Sequence, residues 1–152
     1  MAGQTLIVRP ITHSDRAEWA RLWDLYLDFY KTSTTDAVRD VYFARLLGDD
    51  PQDYNGLLAV LDGKPVGLVH YLFHRHGWKL ENVCYLQDLY ALPESRGTGV
   101  GRALIEAVYA RADAAGAPSV YWMTQEDNTT ARRLYDRIAQ KTDFIKYQRP
   151  AG

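Results

Sequence analysis

The sequence predicts a mixed α/β chain: an α+β sheet of mostly antiparallel strands with helices on its faces. Three observations carry that expectation. Short apolar runs with strand character occur near both termini and through the middle of the chain. Four stretches instead place apolar residues at i, i+3, i+4 spacing, which is helical. Tight turns join the early strands, whereas helices separate the later ones, so at least one late pair is parallel.

The elements follow in order. Residues 5–10 alternate as a first strand. Thr12-His13-Ser14-Asp15 has the form of a capping box, a hydroxyl followed three residues later by a carboxylate. The helix it opens carries Trp19, Leu22, Trp23, Tyr26, Phe29 and Tyr30 on one stripe. That stripe is core, or its last turn, Phe29 and Tyr30, walls a substrate pocket. Ser33-Thr34-Thr35-Asp36 repeats the capping pattern before a helix reaching about Leu47, with Val38, Val41 and Tyr42 inward. Gly48-Asp49-Asp50-Pro51 stops it. Leu57–Leu61 is a short strand, and Asp62-Gly63 is a hairpin turn leading into an antiparallel strand from Val66 to His76.

That strand sets His70, His74 and His76 on one face. The pattern invites a metal reading, but no partner carboxylate or Cys stands at recognisable spacing, and a hydrogen-bonded or solvated face is the simpler account. No metal is expected. Gly77-Trp78-Lys79 turns the chain into a strand from Cys84 to Ala91. A helix with Val100, Ala103, Leu104, Ala107 and Val108 inward follows and ends at Gly116 and Pro118. Val120–Gln125 is a strand. Asp127 and Asn128 are N-caps for a last helix with Ala131, Leu134, Tyr135 and Ile138 inward, and Phe144–Gln148 is a final strand.

Composition narrows the function. A chain of 152 residues with no internal repeat, low-complexity tract or linker reads as one domain over residues 1–152. A formal net charge of −1 gives no overall basic field to draw nucleic acid or an anionic membrane. The lone Cys84 excludes an intramolecular disulfide and a multi-cysteine zinc site. No signal-peptide shape opens the sequence and no apolar run approaches the ~20 residues that cross a bilayer, so a cytoplasmic protein is expected.

The most informative run is Leu86–Leu104, LQDLYALPESRGTGVGRAL. An apolar strand meets a turn at Pro93-Glu94-Ser95 and then passes through Arg96-Gly97-Thr98-Gly99-Val100-Gly101 into a helix. Glycines permit positive φ and close approach. Free N–H groups at a helix start suit phosphate, and Arg96 and Arg102 add charge. A Rossmann fingerprint would sit in the first βα unit with an acid about 20 residues on, and a P-loop would need Gly-Lys-Ser/Thr. Neither pattern is met.

On Arg96-Gly97-Thr98-Gly99-Val100-Gly101, together with Asn128, Ala131 and Tyr135 in an Asn-x-x-Ala-x-x-x-Tyr pattern, the chain resembles the GNAT superfamily of N-acetyltransferases. The resemblance runs from Leu6 to Gln148, and the local runs look nearest to the branch of polyamine, small histone and D-amino-acid acetyltransferases. It implies acetyl-CoA as co-substrate and an acyl-CoA fold with strands 84–91 and 119–125 splayed apart as a parallel pair. It also implies binding of pantetheine and the acetyl carbonyl by backbone at Leu89, Tyr90 and Ala91. Arg96, Gly97, Thr98, Gly99, Val100, Gly101 and Arg102 would hold the pyrophosphate, and Asn128 would face the pantetheine. Tyr135 would be the proton donor to the departing thiolate, although its stripe also fits a core tyrosine.

The proton acceptor is where this sequence departs from its relatives. Polyamine-type relatives often carry Glu-Asp where this chain has Gln87-Asp88. Gln87 can hold a water or an amine but takes no proton. Asp88 is a catalytic candidate or a structural hydrogen-bonded carboxylate, Glu126 is another candidate, and water alone can serve. Gln87 and Tyr30 are candidate acceptor-binding residues. The expected reaction is direct acetyl transfer to a primary amine in a ternary complex, the acceptor being a small molecule or a protein amine. Asp24, Asp28, Asp36 and Asp40 suit a cationic acceptor or form a solvated face. The rival reading is a non-catalytic acetyl-CoA sensor. Family members are often homodimers, and Trp78 and Tyr121 are candidate contacts.

Overall fold

The computed structural model describes residues 4–151. In chain order it holds β1 (Leu6–Pro10), a 3-10 turn (His13–Asp15), α1 (Arg16–Phe29), α2 (Asp36–Leu46), β2 (Asn55–Leu61) and β3 (Lys64–His74). There follow β4 (Val83–Ala91), a second 3-10 turn (Pro93–Ser95), α3 (Val100–Ala114), β5 (Val120–Tyr121) and α4 (Thr129–Ile138). These residues form two compact units, one ending at Trp122 and the other beginning at Met123.

The first unit is built on a five-stranded sheet in the order β1-β2-β3-β4-β5. The first three pairings are antiparallel and β4–β5 is parallel, as the crossover through α3 requires. The Asp62-Gly63 hairpin forms as expected, with both residues at positive φ. Thr12 does open the first helical segment. Its N–H donates to the Asp15 carboxylate, which also accepts two bonds from Arg9 at 2.8 and 2.9 Å. Those Arg9 bonds, aided by the donors of Thr12, hold the Asp15 carboxyl down to about 2.

Helices cover both faces. The α3 face is lined by Val100, Leu104, Ile105, Val108 and Ala112, all buried. Gly67 of β3 makes room for it: a Cβ there would lie 2.8 Å from the Tyr90 carbonyl and 3.0 Å from Val100 Cγ1. The opposite face carries α1 and α2, whose Trp19, Leu22, Trp23, Leu27, Phe43 and Leu46 are buried.

Several expectations about elements need correction. Helix α2 starts at Asp36 with Thr35 as N-cap, its hydroxyl accepting from the Val38 N–H at 3.2 Å, so Ser33 is not the cap. Its inward residues are Phe43 and Leu46 with part of Tyr42, while Val38 and Val41 are exposed. Apolar residues wrap most of this helix, and the tilted contact of Phe43 with Trp19, at a centroid distance of 5.1 Å, decides its phase. Phe29 is half exposed rather than core. The strand expected at 120–125 ends at Tyr121.

The second unit holds α4. Ala131, Leu134, Tyr135 and Ile138 are half-buried on one side, and Arg133, Asp136 and Arg137 are exposed, which matches the expected stripe. Residues 144–148 form no strand, and Phe144, Ile145 and Tyr147 are exposed. Alternation gives them the pattern of a strand, but a strand also needs a ladder partner, and no described residue pairs with them.

Candidate active site

The glycine stretch builds a row of free backbone donors. After β4 the chain tightens: the Ser95 hydroxyl donates to the Leu92 carbonyl at 2.7 Å and the Thr98 hydroxyl to the Ser95 carbonyl. Gly97 and Gly99 both sit at φ +83°, Gly99 as the N-cap of α3. The first helical bond is closed by Ala103 N–H on the Gly99 carbonyl at 2.9 Å. The N–H groups of Gly97, Gly99, Val100, Gly101 and Arg102 therefore donate to no described residue. They lie at the positive end of a 15-residue helix. Arg96 is exposed beside them, and Arg102 is tied to Glu106 by a surface pair at 2.8 Å. Free N–H groups so placed at a helix start can hold an anion such as a pyrophosphate.

One edge of β4 is bare where the loop begins. The parallel pairing with β5 consists of Cys84 with Val120 and Tyr85 with Tyr121. Strand β4 runs on to Ala91, with Leu89, Tyr90 and Ala91 laddered to β3 alone among the described strands. Their second edge has no strand partner among the described residues, and strand addition by an extended ligand needs such an edge.

The other face of β4 carries a buried polar centre that sequence reasoning saw only in part. Gln87 is an extra residue between the pairs Tyr71–Leu86 and His70–Asp88. This bulge breaks alternation. Leu86 pairs with Tyr71 on the α3 face, whereas Asp88, two residues on, joins His70 on the α1/α2 face. Gln87 itself is exposed. The Asp88 carboxylate accepts from Tyr26 Oη at 2.9 Å, from Tyr42 Oη, and from His70 Nδ1 at 2.9 Å. His70 is fully buried, and its Nε2 lies 2.9 Å from the indole nitrogen of Trp19. Four elements thus converge on one carboxylate that is 5% exposed.

Tyrosines surround this centre. Tyr26 contacts the rings of Tyr30 and Tyr90 at centroid distances of 5.1 and 6.3 Å, and Tyr42 contacts Tyr54 at 4.8 Å. Burial, reinforced by the Asp88 charge, pushes the hydroxyls of Tyr26 and Tyr42 well above the usual phenol range, and that of Tyr30 in the same direction. These phenols stay protonated and donate to Asp88. The structure therefore brings Asp88, Tyr30 and Tyr90 together through Tyr26. The indole N–H of Trp23, in the same aromatic cluster, is buried without an acceptor.

The remaining expected residues are placed as follows. In the second unit Asn128 precedes α4, its amide donating to Thr124 Oγ1 at 3.1 Å, and Tyr135 lies on the half-buried stripe of that helix. Both ring nitrogens of His70 and of His74 are engaged in hydrogen bonds, those of His74 with the Arg75 carbonyl and with Tyr121 Oη at 2.7 Å. The hydrogen-bonded reading of the histidine face therefore holds for both. Cys84 is fully buried, and burial pushes its thiol up to about 12, so it offers no nucleophilic thiolate at neutral pH.

Sequence reasoning missed His70, Tyr26, Tyr42 and Trp19 as partners of Asp88. One signal was available: His70, in the apolar middle of one strand, and Asp88, the one carboxylate of the next, stand in consecutive antiparallel strands. The bulge at Gln87 shifts the count that would have paired them.

Comparison with known proteins supplies the chemical context. A model of the acetyltransferase (GNAT) family matches residues 19–139. A D-amino-acid N-acetyltransferase of Saccharomyces cerevisiae is 39% identical over 98% of this chain and 93% of its own length. An uncharacterised N-acetyltransferase of Bacillus subtilis is 25% identical over 92% of this chain and 94% of its own. Among solved structures, an aminoglycoside N-acetyltransferase in complex with CoA superposes with a TM-score of 0.83 at 19% identity, over 99% of this chain and 98% of that one. A ribosomal-protein-alanine N-acetyltransferase of Brucella melitensis gives 0.81 at 23% identity, over 96% and 99%.

Proposed function

The chain belongs to the GNAT acetyltransferase family and is an N-acetyltransferase that uses an acyl-CoA, and from that premise we propose that it moves acetyl from acetyl-CoA to the primary amine of a small cationic acceptor by direct attack in a ternary complex. The observation that carries this reading is the construction of β4. It has a bare backbone edge at Leu89–Ala91 and, on its α1/α2 face, a buried anion at Asp88. The relative at 39% identity, a D-amino-acid N-acetyltransferase, supports a small amino compound over a protein lysine as acceptor.

Bound acetyl-CoA supplies an activated thioester. The chain's residues do the rest. Gly97, Gly99, Val100, Gly101 and Arg102 bind the pyrophosphate through their N–H groups, with Arg96 and Thr98 beside them. Leu89, Tyr90 and Ala91 hold the pantetheine arm and the acetyl carbonyl through their backbone, and Asn128 adds a polar contact to the arm. Asp88, Tyr30 and Gln87 receive the acceptor. The amine must shed its proton, because an ammonium has no lone pair. The proton passes to the Tyr26 oxygen as the Tyr26 proton passes to Asp88 Oδ1. The new C–N bond forms as the C–S bond breaks, Tyr135 protonates the departing thiolate, and the surplus proton on the new amide nitrogen passes to solvent, from which the Tyr135 phenolate is reprotonated. Cys84, buried and protonated, takes no acetyl group.

In this reading residues 1–152 form one transferase domain. The enzyme acts in the cytoplasm, among small-molecule amines rather than nucleic acid or membrane, and as a homodimer. Among the described residues no helix is long and apolar enough to cross a membrane. The exposed Trp78, Leu80 and Tyr121 of the first unit support a contact with a second copy.

Thiol release from acetyl-CoA across a panel of D- and L-amino acids, polyamines and amino sugars tests the reading. Turnover on small amines, with both substrates required together before any thiol appears, is the expected result. Tight acetyl-CoA binding without turnover on any amine would overturn it.

A further inference from the structure

We propose that Trp19 and His70 are positioning residues that fix one ring tautomer and so keep Asp88 an uncompensated anion, for which the acceptor's ammonium is the counter-charge. The inference deepens the proposed reading and, for its functional half, rests on it.

The tautomer follows from donor accounting. An indole nitrogen can only donate. Trp19 Nε1 lies 2.9 Å from His70 Nε2, so that ring nitrogen must be the bare acceptor. The ring proton is then on Nδ1, which donates to Asp88 Oδ2 at 2.9 Å. A second ring proton would set an N–H against the indole N–H in a space where His70 is 0% and Trp19 1% exposed. The pair that looks like a histidine–aspartate ion pair is therefore a neutral donor beside a charged carboxylate.

Nothing else neutralises that carboxylate. The groups facing it are Tyr26 from α1, Tyr42 from α2 and His70 from β3, with Tyr30 and Tyr85 within its field. His70 in turn faces Trp19 and Trp23 from α1 and Tyr42 from α2. Among the described residues no Lys or Arg pairs with Asp88. A buried anion satisfied by neutral donors alone still lacks a counter-charge. The surrounding tyrosine rings add π faces that favour a cation. The site is thus electrostatically complete only with a positively charged acceptor in it.

The first arm of the test is spectroscopic and needs neither variant nor substrate. In ring-labelled wild-type protein, 15N shifts should show His70 with protonated Nδ1 and bare Nε2 at both pH 6 and pH 8.5. A doubly protonated ring, or a proton on Nε2, overturns the tautomer lock. The second arm is kinetic. Trp19→Phe frees Nε2 to take a proton. Its amine KM should be about tenfold above wild type at pH 6 and approach wild type at pH 8.5, because a protonated His70 neutralises Asp88. His70→Asn, which donates but cannot titrate, should follow the wild-type pH dependence. A Trp19→Phe KM that tracks wild type at every pH overturns the role of Trp19. Absence of wild-type turnover on any amine refutes the functional reading instead, and the 15N arm still decides the lock.

Discussion

The glycine loop and the Asp88 centre lie on the same strand and its continuation, yet they are built in opposite ways. The loop works through backbone. Its donors are N–H groups from Gly97 to Arg102, fixed by two residues at positive φ and by the start of α3. Every part of it is contiguous in sequence. The Asp88 centre works through side chains from α1, α2, β3 and β4, and sequence distances of 18, 46 and 62 residues separate Asp88 from His70, Tyr42 and Tyr26. The contrast suggests a division of labour. In the proposed reading, backbone geometry satisfies the cradle for the co-substrate, whereas side chains from four elements choose the acceptor.

Substitutions can break that division at either end. The largest expected effect is from Asp88→Asn, which keeps the shape but removes the charge. Amine kcat/KM should fall by about 100-fold, the usual order for loss of a proton acceptor, as read by steady-state thiol release. Gly99→Val should act at the other end. A β-branched residue is strained at φ +83°, and acetyl-CoA affinity by calorimetry should weaken by about tenfold, the order of one misaligned anion donor. Asp15→Asn lies in neither region. Asp15 is held down to about 2, so its contribution is complete at neutral pH and is lost as pH falls from the ordinary carboxylate range through about 2. The variant should lose about 2 kcal/mol in urea unfolding at pH 7 and show a flatter acid limb, with kinetics unchanged at 25 °C. Cys84→Ala should change least. It should cost about 1 kcal/mol of stability and leave kcat at the wild-type value, because the buried thiol does no chemistry.

What could be read from the sequence follows the same division. Contiguous features were legible: the Thr12–Asp15 box, the Asp62-Gly63 hairpin, the glycine loop before α3 and the parallel return through β5. Features fixed by tertiary partners were not. The phase of α2 depends on where Phe43 meets Trp19, so Val38 and Val41 were misassigned. Residues 144–148 have a strand's alternation but no ladder partner among the described residues. Asp88 was visible as a carboxylate in an apolar strand. Its partners were hidden because one bulged residue, Gln87, reverses the face on which simple alternation sets it relative to Leu86.

The central claim is that acyl-CoA is held by the loop and the amine by the Asp88 centre, independently. The most direct measurement determines acetyl-CoA Kd and amine kcat/KM side by side in Asp88→Asn and Gly99→Val. The account predicts a double dissociation. Asp88→Asn should keep Kd within about twofold while kcat/KM collapses, and Gly99→Val should weaken Kd while amine KM at saturating acetyl-CoA stays near wild type. Parallel loss of both quantities in both variants, or full turnover in Asp88→Asn, would contradict it.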